Sequence, residues 1–437
     1  MNSHRCRALL ITAPASGQGK TTVTAALARH YRQQGKRVHI FKCGPDFIDP
    51  MILQQASGQP VYSLDLWMVG EALCRQQLFE AAKVADLILI EGVMGLFDGT
   101  PSSADLAELF DIPLLLVINS KGMAQTFGAV AHGLTHYRPE LKFAAVLANR
   151  VASERHAEML SESLPAALGS LAYMGKDEAF ELPSRHLGLL QASEVADLDQ
   201  RLNLAAAALH IPNLEQLAAE IHFEAAVSEP LPPLLEGVRI GIAKDEAFSF
   251  IYNANIDCLE RMGAELHYFS PLHDNALPEV DSLWFPGGYP ELHAEQLSAN
   301  QKIKQAIMAH HQSGQAILAE CGGMLYLSEA IVTHQQQHHR MVGLLSGSAI
   351  MQQRLGGLGM QSVPLPEGEL RGHTFHYSHF ETSFEAMSYA TKQRNGQQGE
   401  AIYRQGRLLA SYIHLYFPSN PAACAALFTP PVLKMTL

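Results

Sequence analysis

The stretch ALLITAPASGQGKTT, residues 8–22, decides the fold of the first half of the chain. Its apolar start predicts a buried β-strand over 8–13, and TTVTAALARHYRQQ predicts a helix over 21–34. The glycines between them let backbone N–H groups approach phosphate, and the N-terminus of the helix favours negative charge. We expect Lys20 to reach the β- and γ-phosphates of a nucleotide and the Thr21 hydroxyl to ligate Mg²⁺.

The match to the phosphate-loop pattern G-x-x-x-x-G-K-[ST] has one defect, because Pro14 replaces its first glycine. The alternative is a glycine-rich turn that carries a lysine by chance. A strand, glycines, a Lys-Thr pair and a helix follow in the order that a nucleotide site needs, which favours the phosphate loop. The ATP-binding residues predicted from it are Gly17, Gln18, Gly19, Lys20, Thr21 and Thr22.

Short apolar runs alternate with helical patterns throughout the first half of the chain. The runs occupy residues 8–13, 37–43, 86–92, 113–119 and 143–149. Continuous apolar strands that alternate with helices indicate an α/β fold with a parallel sheet covered on both faces. Such sheets bind ligands at the carboxyl ends of their strands, and the glycine-rich turns of this half follow the strand ends.

Several charged residues also follow predicted strands. Glu91 ends one strand, where a carboxylate would lie near the Mg²⁺ of a bound nucleotide. Asp46 and Asp49 come after another strand and close to Lys42, and Asp98 follows Glu91 in a glycine-rich turn. Each carboxylate taken alone could simply form a turn or cap a helix. Their shared position after parallel strands favours a ligand site for the set.

A proline-rich segment separates this half from the rest of the chain. SEPLPPLLEG, residues 228–237, contains three prolines and has no periodicity, which is typical of a linker. Strand-like runs begin again after it, and the last third is richer in glycine and aromatic residues. The sequence therefore predicts two domains, residues 1–228 and 237–437, joined by a linker over 229–236.

The second domain contains a candidate nucleophile. AECGG, residues 319–323, lies between the strand-like QAIL and the helix-like MLYLSEAI, residues 324–331. A sharp strand-to-helix turn of this kind exposes a reactive side chain, and the helix N-terminus stabilises a thiolate. The alternative for Cys321 is a small buried thiol without a chemical role.

Two further features complete this candidate site. His414, at the end of the predicted strand LLASYIH, is the best candidate for a base that accepts the proton of Cys321. FPGGYP, residues 285–290, ends another predicted strand and offers free N–H groups. The predicted oxyanion site consists of Gly287, Gly288 and Gly322.

The composition limits the class of protein. With 31 Lys and Arg against 43 Asp and Glu among 437 residues, the formal charge is −12. A chain this acidic is a poor candidate for broad binding to nucleic acid or anionic membrane. Its 6 cysteines form no CxxC pair, which predicts reduced thiols and a cytoplasmic protein. No apolar run approaches the ~20 residues of a membrane-spanning helix.

Taken together, these motifs resemble those of the cobyrinic acid a,c-diamide synthases, glutamine-dependent amidotransferases of cobalamin biosynthesis. The similar motifs, in the family's order, are GPDFIDP (44–50), EGVMGLFDG (91–99), PSRHLGLL (183–190), FPGGYPE (285–291), AECGGMLYL (319–327) and SYIHLYF (411–417). The resemblance covers nearly the whole chain. It implies a dethiobiotin-synthetase-like P-loop domain followed by a class I glutamine amidotransferase domain with a flavodoxin-like α/β fold.

The resemblance also implies a reaction. ATP and Mg²⁺ would serve the first domain, which would amidate the a- and c-acetate carboxylates of cobyrinic or hydrogenobyrinic acid through acyl phosphates. Ammonia would come from glutamine hydrolysis at Cys321 and would pass between the two sites without being protonated. The implied residues are Lys42, Asp46 and Asp98 at the synthetase site, Thr21, Asp46 and Glu91 at the metal, and the pair Cys321 and His414.

The chain departs from its expected relatives at two positions. Many class I glutaminase domains have a glutamate two residues after the catalytic histidine, where this chain has Tyr416. Cys321 and His414 therefore form a dyad, or the third member of the catalytic group lies elsewhere in the sequence. Related partition ATPases have a signature lysine where Ser16 stands, which speaks against that branch. Arg185 and His186 are candidates for binding acceptor carboxylates, or for a purely structural role.

Other functions remain open at this point. The acceptor could be another tetrapyrrole, as in nickel-sirohydrochlorin a,c-diamide synthases, or the chain could belong to the cobyric acid synthases. A different class is a P-loop switch ATPase with a non-catalytic thiol domain; the complete pair of sites argues against it. We expect small-molecule partners and no nucleic acid or membrane, with a homodimer as the commonest oligomeric state.

Overall fold

This computed structural model describes residues 3–168, 171–185, 188–226 and 230–429. The chain divides into two compact units, Met1–Ser228 and Glu229–Leu437, called here the N-terminal and C-terminal units. Each unit has its own sheet and its own hydrophobic core, and each is described by itself.

Strands and helices alternate along the N-terminal unit. Its described strands are β1 (Ser3–Thr12), β2 (Val38–Cys43), β3 (Tyr62–Leu64), β4 (Leu87–Glu91), β5 (Leu114–Asn119), β6 (Phe143–Val151), β7 (Ala172–Gly175), β8 (Ser184–Arg185), β9 (Gly188–Leu189), β10 (Leu209–His210) and β11 (Ala219–Glu224). Its described α-helices are α1 (Lys20–Gln33), α2 (Ile48–Ser57), α3 (Glu71–Ala82), α4 (Ser103–Leu109), α5 (Thr126–His136), α6 (Glu154–Ser163), α7 (Leu198–Ala207) and α8 (Leu214–Leu217).

The strands of this unit form one large sheet in the order β10-β7-β6-β5-β1-β4-β2-β3, with β11 paired to β1. Pairing is parallel from β7 through β3, and β10 and β11 join antiparallel. The predicted parallel α/β fold is thus confirmed. The largest difference from the predicted strands is in β1, which starts at Ser3 rather than at residue 8, because its first residues pair with β11.

The C-terminal unit is richer in strands. Its described strands are β12 (Arg239–Ala243), β13 (Glu265–Phe269), β14 (Ser282–Phe285), β15 (Ala316–Glu320), β16 (Ser328–Val332), β17 (His338–Arg340), β18 (Leu345–Met351), β19 (Gly357–Leu365), β20 (Gly368–His376), β21 (Ser378–Glu381), β22 (Ser388–Lys392), β23 (Gln398–Gln405), β24 (Leu408–Ser411) and β25 (His414–Tyr416). Its described α-helices are α9 (Asn253–Arg261), α10 (Ala294–Ala299), α11 (Gln301–Gln312), α12 (Gly322–Leu327) and α13 (Pro421–Phe428).

A mixed sheet organises this unit in the order β13-β12-β14-β15-β24-β23-β22-β19-β20-β25. The strands from β13 to β24 pair in parallel, and the rest pair antiparallel. A smaller sheet has the order β17-β16-β18-β21. The parallel part brings the ends of β14, β15 and β24 to one edge, which is where the thiol site is found.

Two local predictions in this unit are wrong. The helix after Cys321 ends at Leu327 rather than continuing to residue 331, because Ser328 takes an extended conformation and residues 328–332 join the smaller sheet as β16. The predicted strand LLASYIH is also broken: β24 ends at Ser411, and His414 begins a separate strand, β25, that pairs with β20.

Among the described residues, no helix is both long enough and apolar enough to span a lipid bilayer.

Close packing between α5 and α6 depends on the absence of one side chain. A Cβ at Gly128, in α5, would collide with the carbonyl oxygen of Ser163 at the end of α6. Gly133 lies in the same helix but is exposed, and a Cβ there would meet no atom within 4 Å. Substituting each of the two glycines by alanine therefore distinguishes the effect of helix propensity from that of steric fit.

We expect Gly128→Ala to destabilise the N-terminal unit by ~1–3 kcal/mol, because overpacking outweighs the gain in helix propensity. The matched variant Gly133→Ala should stabilise it by ~0.5–1 kcal/mol, because alanine loses less backbone entropy than glycine. Hydrogen exchange of peptides from α5 and α6 in the full chain measures both effects. Equal protection in the two variants would contradict the packing argument.

Candidate active sites

The phosphate loop joins the end of β1 to the start of α1. Gly17 and Gly19 have φ angles of 76° and 90°, a region that favours glycine. Lys20 begins α1, and Thr21 and Thr22 lie in its first turn. The loop therefore places glycine backbone and the helix N-terminus at the sheet edge where a nucleotide phosphate is expected.

Two asparagines that the sequence reasoning missed hold this loop in place. Asn149, near the end of β6, donates from Nδ2 to the Gln18 carbonyl oxygen over 2.8 Å, and a Cβ at Gly19 would collide with that Nδ2. The Gln18 side chain in turn accepts a hydrogen bond from the backbone N–H of Asn119, which ends β5, over 2.9 Å. The available signal was an asparagine at the end of each of two apolar runs.

The Lys20 side chain lies along the loop and is buried. Its Nζ donates to the carbonyl oxygens of Met94 at 2.6 Å and of Ala15 at 3.4 Å. Burial, and then the nearby positive charge of Lys42, lowers the pKa of Lys20. Oxygen atoms of a bound phosphate could replace these two neutral carbonyl partners.

Beside the loop, Lys42 is surrounded by carboxylates. Its Nζ lies 2.6 Å from Oδ2 of Asp49, 2.9 Å from Oε1 of Glu91 and 3.7 Å from Oδ2 of Asp46. The parallel pairing of β2 with β4 sets Lys42 opposite Glu91, so the sheet register itself creates the contact between these two residues. Lys42 and Glu91 are both buried, so the charge of each side chain needs the opposite charge of the other nearby.

The protonation of this cluster follows from burial and from Lys42. Burial alone would lower the pKa of Lys42, but Asp49, Glu91 and Asp46 together raise it well above its usual value. Burial and the neighbouring Asp49 raise the pKa of Asp46 to about 7. For Asp49 the charge and hydrogen bond of Lys42 outweigh burial and lower the pKa. Burial raises the pKa of Glu91.

The oxygen atoms here suit Mg²⁺. The Thr21 hydroxyl donates to Oε1 of Glu91 over 2.8 Å, and Oε2 of Glu91 is buried without a hydrogen-bond partner among the described residues. Within those residues no set of three His, Cys, Asp or Glu side chains could hold a metal by itself. Mg²⁺ usually takes one or two carboxylates and completes its shell with water and phosphate oxygens, so the donor set fits the ion.

Asp98 lies next to the phosphate loop in a different way. Its Oδ2 accepts the backbone N–H of Gly95 over 2.8 Å, and the adjacent Leu96 N–H donates to the Ala13 carbonyl over 2.9 Å. Asp98 therefore shapes the turn that runs along the loop, and its charge acts on Lys20. Lys42 donates its hydrogen bonds to Asp49 and Glu91 instead.

The two residues predicted to bind acceptor carboxylates have no described side chains. His186 lies outside the described residues, and only the backbone of Arg185 is described, in β8.

In the C-terminal unit, Cys321 occupies a sharp turn between β15 and α12. Its φ of 43° and ψ of −108° are rare for a residue with a side chain. Its backbone N–H donates to the Ser411 carbonyl at the end of β24 over 2.8 Å. Burial, and then the negative charge of Glu291, raises the pKa of the Cys321 thiol far above its usual value. Burial therefore favours the protonated thiol at rest, rather than the thiolate that was expected at a helix N-terminus.

Three glycines bring the elements of this site into contact. A Cβ at Gly322 would lie 2.9 Å from the backbone nitrogen of Gly288, so the turn after Cys321 packs directly on the loop after β14. A Cβ at Gly287 would collide with Cε1 of His414. The structure thus groups the predicted nucleophile turn, oxyanion loop and base at one place.

The His414 imidazole is buried in a largely aromatic and histidine-rich setting. Its ring centroid is 6.1 Å from that of Phe250 and 5.0 Å from that of His373. Burial, and then the nearby His373 and His376, lower the pKa of His414 well below its usual value. The ring is therefore neutral at rest and able to accept a proton.

Glu320, next to the nucleophile, is a further residue that the sequence reasoning missed. Its carboxyl oxygens accept the indole N–H of Trp284 over 3.0 Å and the backbone N–H of Leu415 over 2.8 Å. Because Leu415 follows His414, this buried carboxyl ties the nucleophile strand to the base strand. Burial raises the pKa of Glu320 to about 8.

A second polar group lies near the thiol. His376 Nε2 is 3.1 Å from Oε1 of Glu400, and its ring stacks on that of Tyr412 at 3.6 Å between centroids. The Tyr412 hydroxyl is hydrogen-bonded to Oγ of Ser378 over 2.8 Å. These residues come from three strands and the segment after β24, so no local motif marked them.

The two sites support different chemistry. The N-terminal site joins a phosphate loop, the amino group of Lys20 and oxygen donors for Mg²⁺, which suits phosphoryl transfer. The C-terminal site joins a thiol, a neutral imidazole and N–H groups of glycine, which suits attack on an amide carbonyl. The pairing of the two in one chain is typical of amide synthesis that uses an amide as nitrogen source.

Comparison with protein families and relatives agrees with this division. Residues 9–190 match the CobQ/CobB/MinD/ParA nucleotide binding domain, and residues 239–422 match the CobB/CobQ-like glutamine amidotransferase domain.

Curated relatives match over almost the whole chain. The "Hydrogenobyrinate a,c-diamide synthase" of Stutzerimonas stutzeri is 58% identical, covering 98% of this chain and 100% of the relative. The protein of the same name from Pseudomonas aeruginosa is 56% identical, covering 98% and 99%. The "Cobyrinate a,c-diamide synthase" of Herminiimonas arsenicoxydans is 48% identical, covering 98% of both chains. The chain therefore belongs to the cobyrinate and hydrogenobyrinate a,c-diamide synthase family of glutamine amidotransferases.

Proposed function

We propose that the chain is a carbon–nitrogen ligase that amidates the a- and c-acetate carboxylates of a corrinoid, with ATP as energy source and glutamine as nitrogen donor. The observation that carries this proposal is the presence of two complementary sites in one chain, a phosphate loop with its carboxylates and a thiol with its base. The names of the relatives support the corrinoid acceptor.

Of the two corrinoids, we propose hydrogenobyrinic acid as the acceptor. Relatives at 58% and 56% identity have that acceptor in their names, whereas the relative named for cobyrinate is 48% identical. Both molecules present the same acetate side chains, so the chemistry of the chain is the same for either. The choice between them depends on contacts to the ring centre.

In the first step, an acceptor carboxylate attacks the γ-phosphorus of ATP, which forms an acyl phosphate and releases ADP. Lys20 would exchange its carbonyl partners for phosphate oxygens and balance the charge on the transferring group. Mg²⁺, held by oxygens of Thr21, Glu91 and Asp46, supplies further positive charge when bound. Lys42 holds the carboxylates of Asp49 and Glu91 in place.

In the second step, His414 accepts the thiol proton while Cys321 attacks the side-chain amide of glutamine. The N–H groups of Gly288 and Gly322 would hold the oxyanion of the tetrahedral intermediate. Collapse of the intermediate releases ammonia and leaves a thioester, which water hydrolyses to glutamate. Ammonia then attacks the acyl carbon of the acyl phosphate, and phosphate leaves.

We further propose a cytoplasmic location and small-molecule partners. All 6 cysteines are free and buried, which agrees with a reducing compartment. A homodimer stays a prediction from the general frequency of twofold assemblies.

The glutaminase assignment predicts a separable defect in Cys321→Ala. Amidation with glutamine should fall at least ~10³-fold, because no other group can form the thioester, whereas amidation with added ammonium salt should persist. Product masses under the two nitrogen sources measure the effect. The matched variant Cys258→Ala removes another buried thiol of the same unit and should retain both activities. Normal use of glutamine by Cys321→Ala would overturn the assignment.

The phosphate-loop assignment predicts the opposite pattern in Lys20→Ala. Activity with glutamine and with ammonium salt should fall together, by ~10²-fold or more, because acyl phosphate formation precedes both. The exposed Lys36→Ala is the control. Retained ammonia-driven turnover in Lys20→Ala would show that the site of ATP use lies elsewhere.

The acceptor proposal is tested by comparing three acceptors in parallel reactions. Hydrogenobyrinic acid, cobyrinic acid and nickel-sirohydrochlorin are each supplied with ATP, Mg²⁺ and glutamine, and products are identified by mass. We expect two successive gains of one amide on hydrogenobyrinic acid. Amidation of nickel-sirohydrochlorin alone would move the chain to another branch, and glutamine-dependent ATP consumption without any amidated tetrapyrrole would contradict the proposed function.

A further inference from the structure

The position that usually orients the base of a glutaminase contains Tyr416, which is fully buried. Its ring packs edge-on against Tyr252, with centroids 5.6 Å apart and planes at 79°. An imidazole that accepts a proton must be held in the right plane, and a partner group normally does this. Tyr416 cannot act as a carboxylate, so the residues that contact the His414 ring are the candidates for this role.

A second histidine lies directly against the base. His373 of β20 is the antiparallel pair partner of His414 in β25, so the register sets the two residues side by side. Their rings stack with centroids 5.0 Å apart and planes at 21°. Both side chains are buried, at 5% and 2% exposure, which leaves the stacked pair little freedom to rotate.

His373 is itself fixed by a hydroxyl. The Tyr252 OH and Nδ1 of His373 share a hydrogen bond of 2.8 Å in a buried setting. Tyr252 also contacts Tyr416, so the residue at the usual carboxylate position supports this arrangement from the side. A chain of contacts thus runs from Tyr252 through His373 to His414.

Two of the nearby carboxyl groups, those of Glu320 and Glu400, have hydrogen-bond partners of their own. The oxygens of Glu320 accept from Trp284 and from the backbone of Leu415. Oε1 of Glu400 serves His376 and the hydroxyl of Thr374. Glu320 can thus place the base strand, but its hydrogen bonds do not set the plane of the His414 ring.

We propose that His373 is the positioning residue for His414, in place of the carboxylate of a triad, and that the Tyr252 hydroxyl holds His373 in turn. This inference rests on the proposed glutaminase role of Cys321 and His414. It makes the catalytic group an assembly of two stacked imidazoles in which one ring reacts and the other sets its plane.

Burial lowers the pKa of both rings, that of His373 to about 3 and that of His414 well below its usual value, so both imidazoles are neutral before Cys321 gives up its proton.

The test uses three variants that separate the ring from the hydrogen bond. His373→Asn keeps a polar atom for Tyr252 but removes the stacked ring, and we expect kcat for glutamine hydrolysis to fall ~10–100-fold with KM changed less than ~2-fold. His373→Phe keeps a ring without the hydrogen bond and should lose less. Tyr252→Phe should show a smaller loss still, and adding it to His373→Phe should cost nothing more, because that hydrogen bond is already gone.

Controls separate positioning from folding. His379→Asn makes the same substitution at an exposed position nearby and should retain wild-type kcat. Amidation driven by ammonium salt should be unchanged in every variant, because it bypasses the thiol. If His373→Asn does not fold, the double-variant comparison of Tyr252→Phe with His373→Phe still decides the coupling.

Three results would overturn the inference: wild-type kcat in His373→Asn, equal loss of glutamine-driven and ammonia-driven amidation, or a raised KM with unchanged kcat, which would place His373 against glutamine. The acceptor proposal fails separately. A wild-type chain that hydrolyses glutamine but amidates no corrinoid would refute that proposal, and the variants could still be compared on hydrolysis alone.

Discussion

Parallel pairing of strands is the constraint on which both sites depend. In a parallel pair the carboxyl ends point the same way, so residues that follow different strands meet at one edge. The pairing of β2 with β4 sets Lys42 beside Glu91, and β1 delivers the phosphate loop to the same edge. In the C-terminal unit, β14, β15 and β24 likewise deliver the glycine loop, Cys321 and Ser411. Chemistry then follows from which side chains stand at the strand ends.

This constraint explains how far the sequence could predict the molecule. Strands with continuous apolar runs and the turns after them were readable, which is why the α/β fold was predicted correctly and why Cys321, Gly288 and His414 were expected at one site. Residues that act across strands were not readable. Asn149 supports the phosphate loop from β6, and Glu320 reaches the backbone of β25. The position of Asn149 at the end of an apolar run was visible in the sequence, but the partners of both side chains were not.

The errors have similar physical causes. Helix α12 was predicted too long because MLYLSEAI suits a helix as well as a strand, and pairing with β18 decides the outcome. His414 was placed at the end of one strand, although it begins another; only its pairing with β20 shows this, and the same pairing brings His373 against it. Tertiary pairing thus set both the boundary and the unexpected neighbour.

The raised pKa of Cys321 has a consequence for the life of the protein in the cell. Thiolates, not thiols, react with peroxides and electrophiles. The Cys321 thiol stays protonated until a substrate binds and His414 accepts its proton. Without substrate it is therefore shielded from oxidation. Burial of the site thus keeps the catalytic thiol unreactive at rest. The other five cysteines are also buried, so little reactive sulfur lies on the part of the surface that is described.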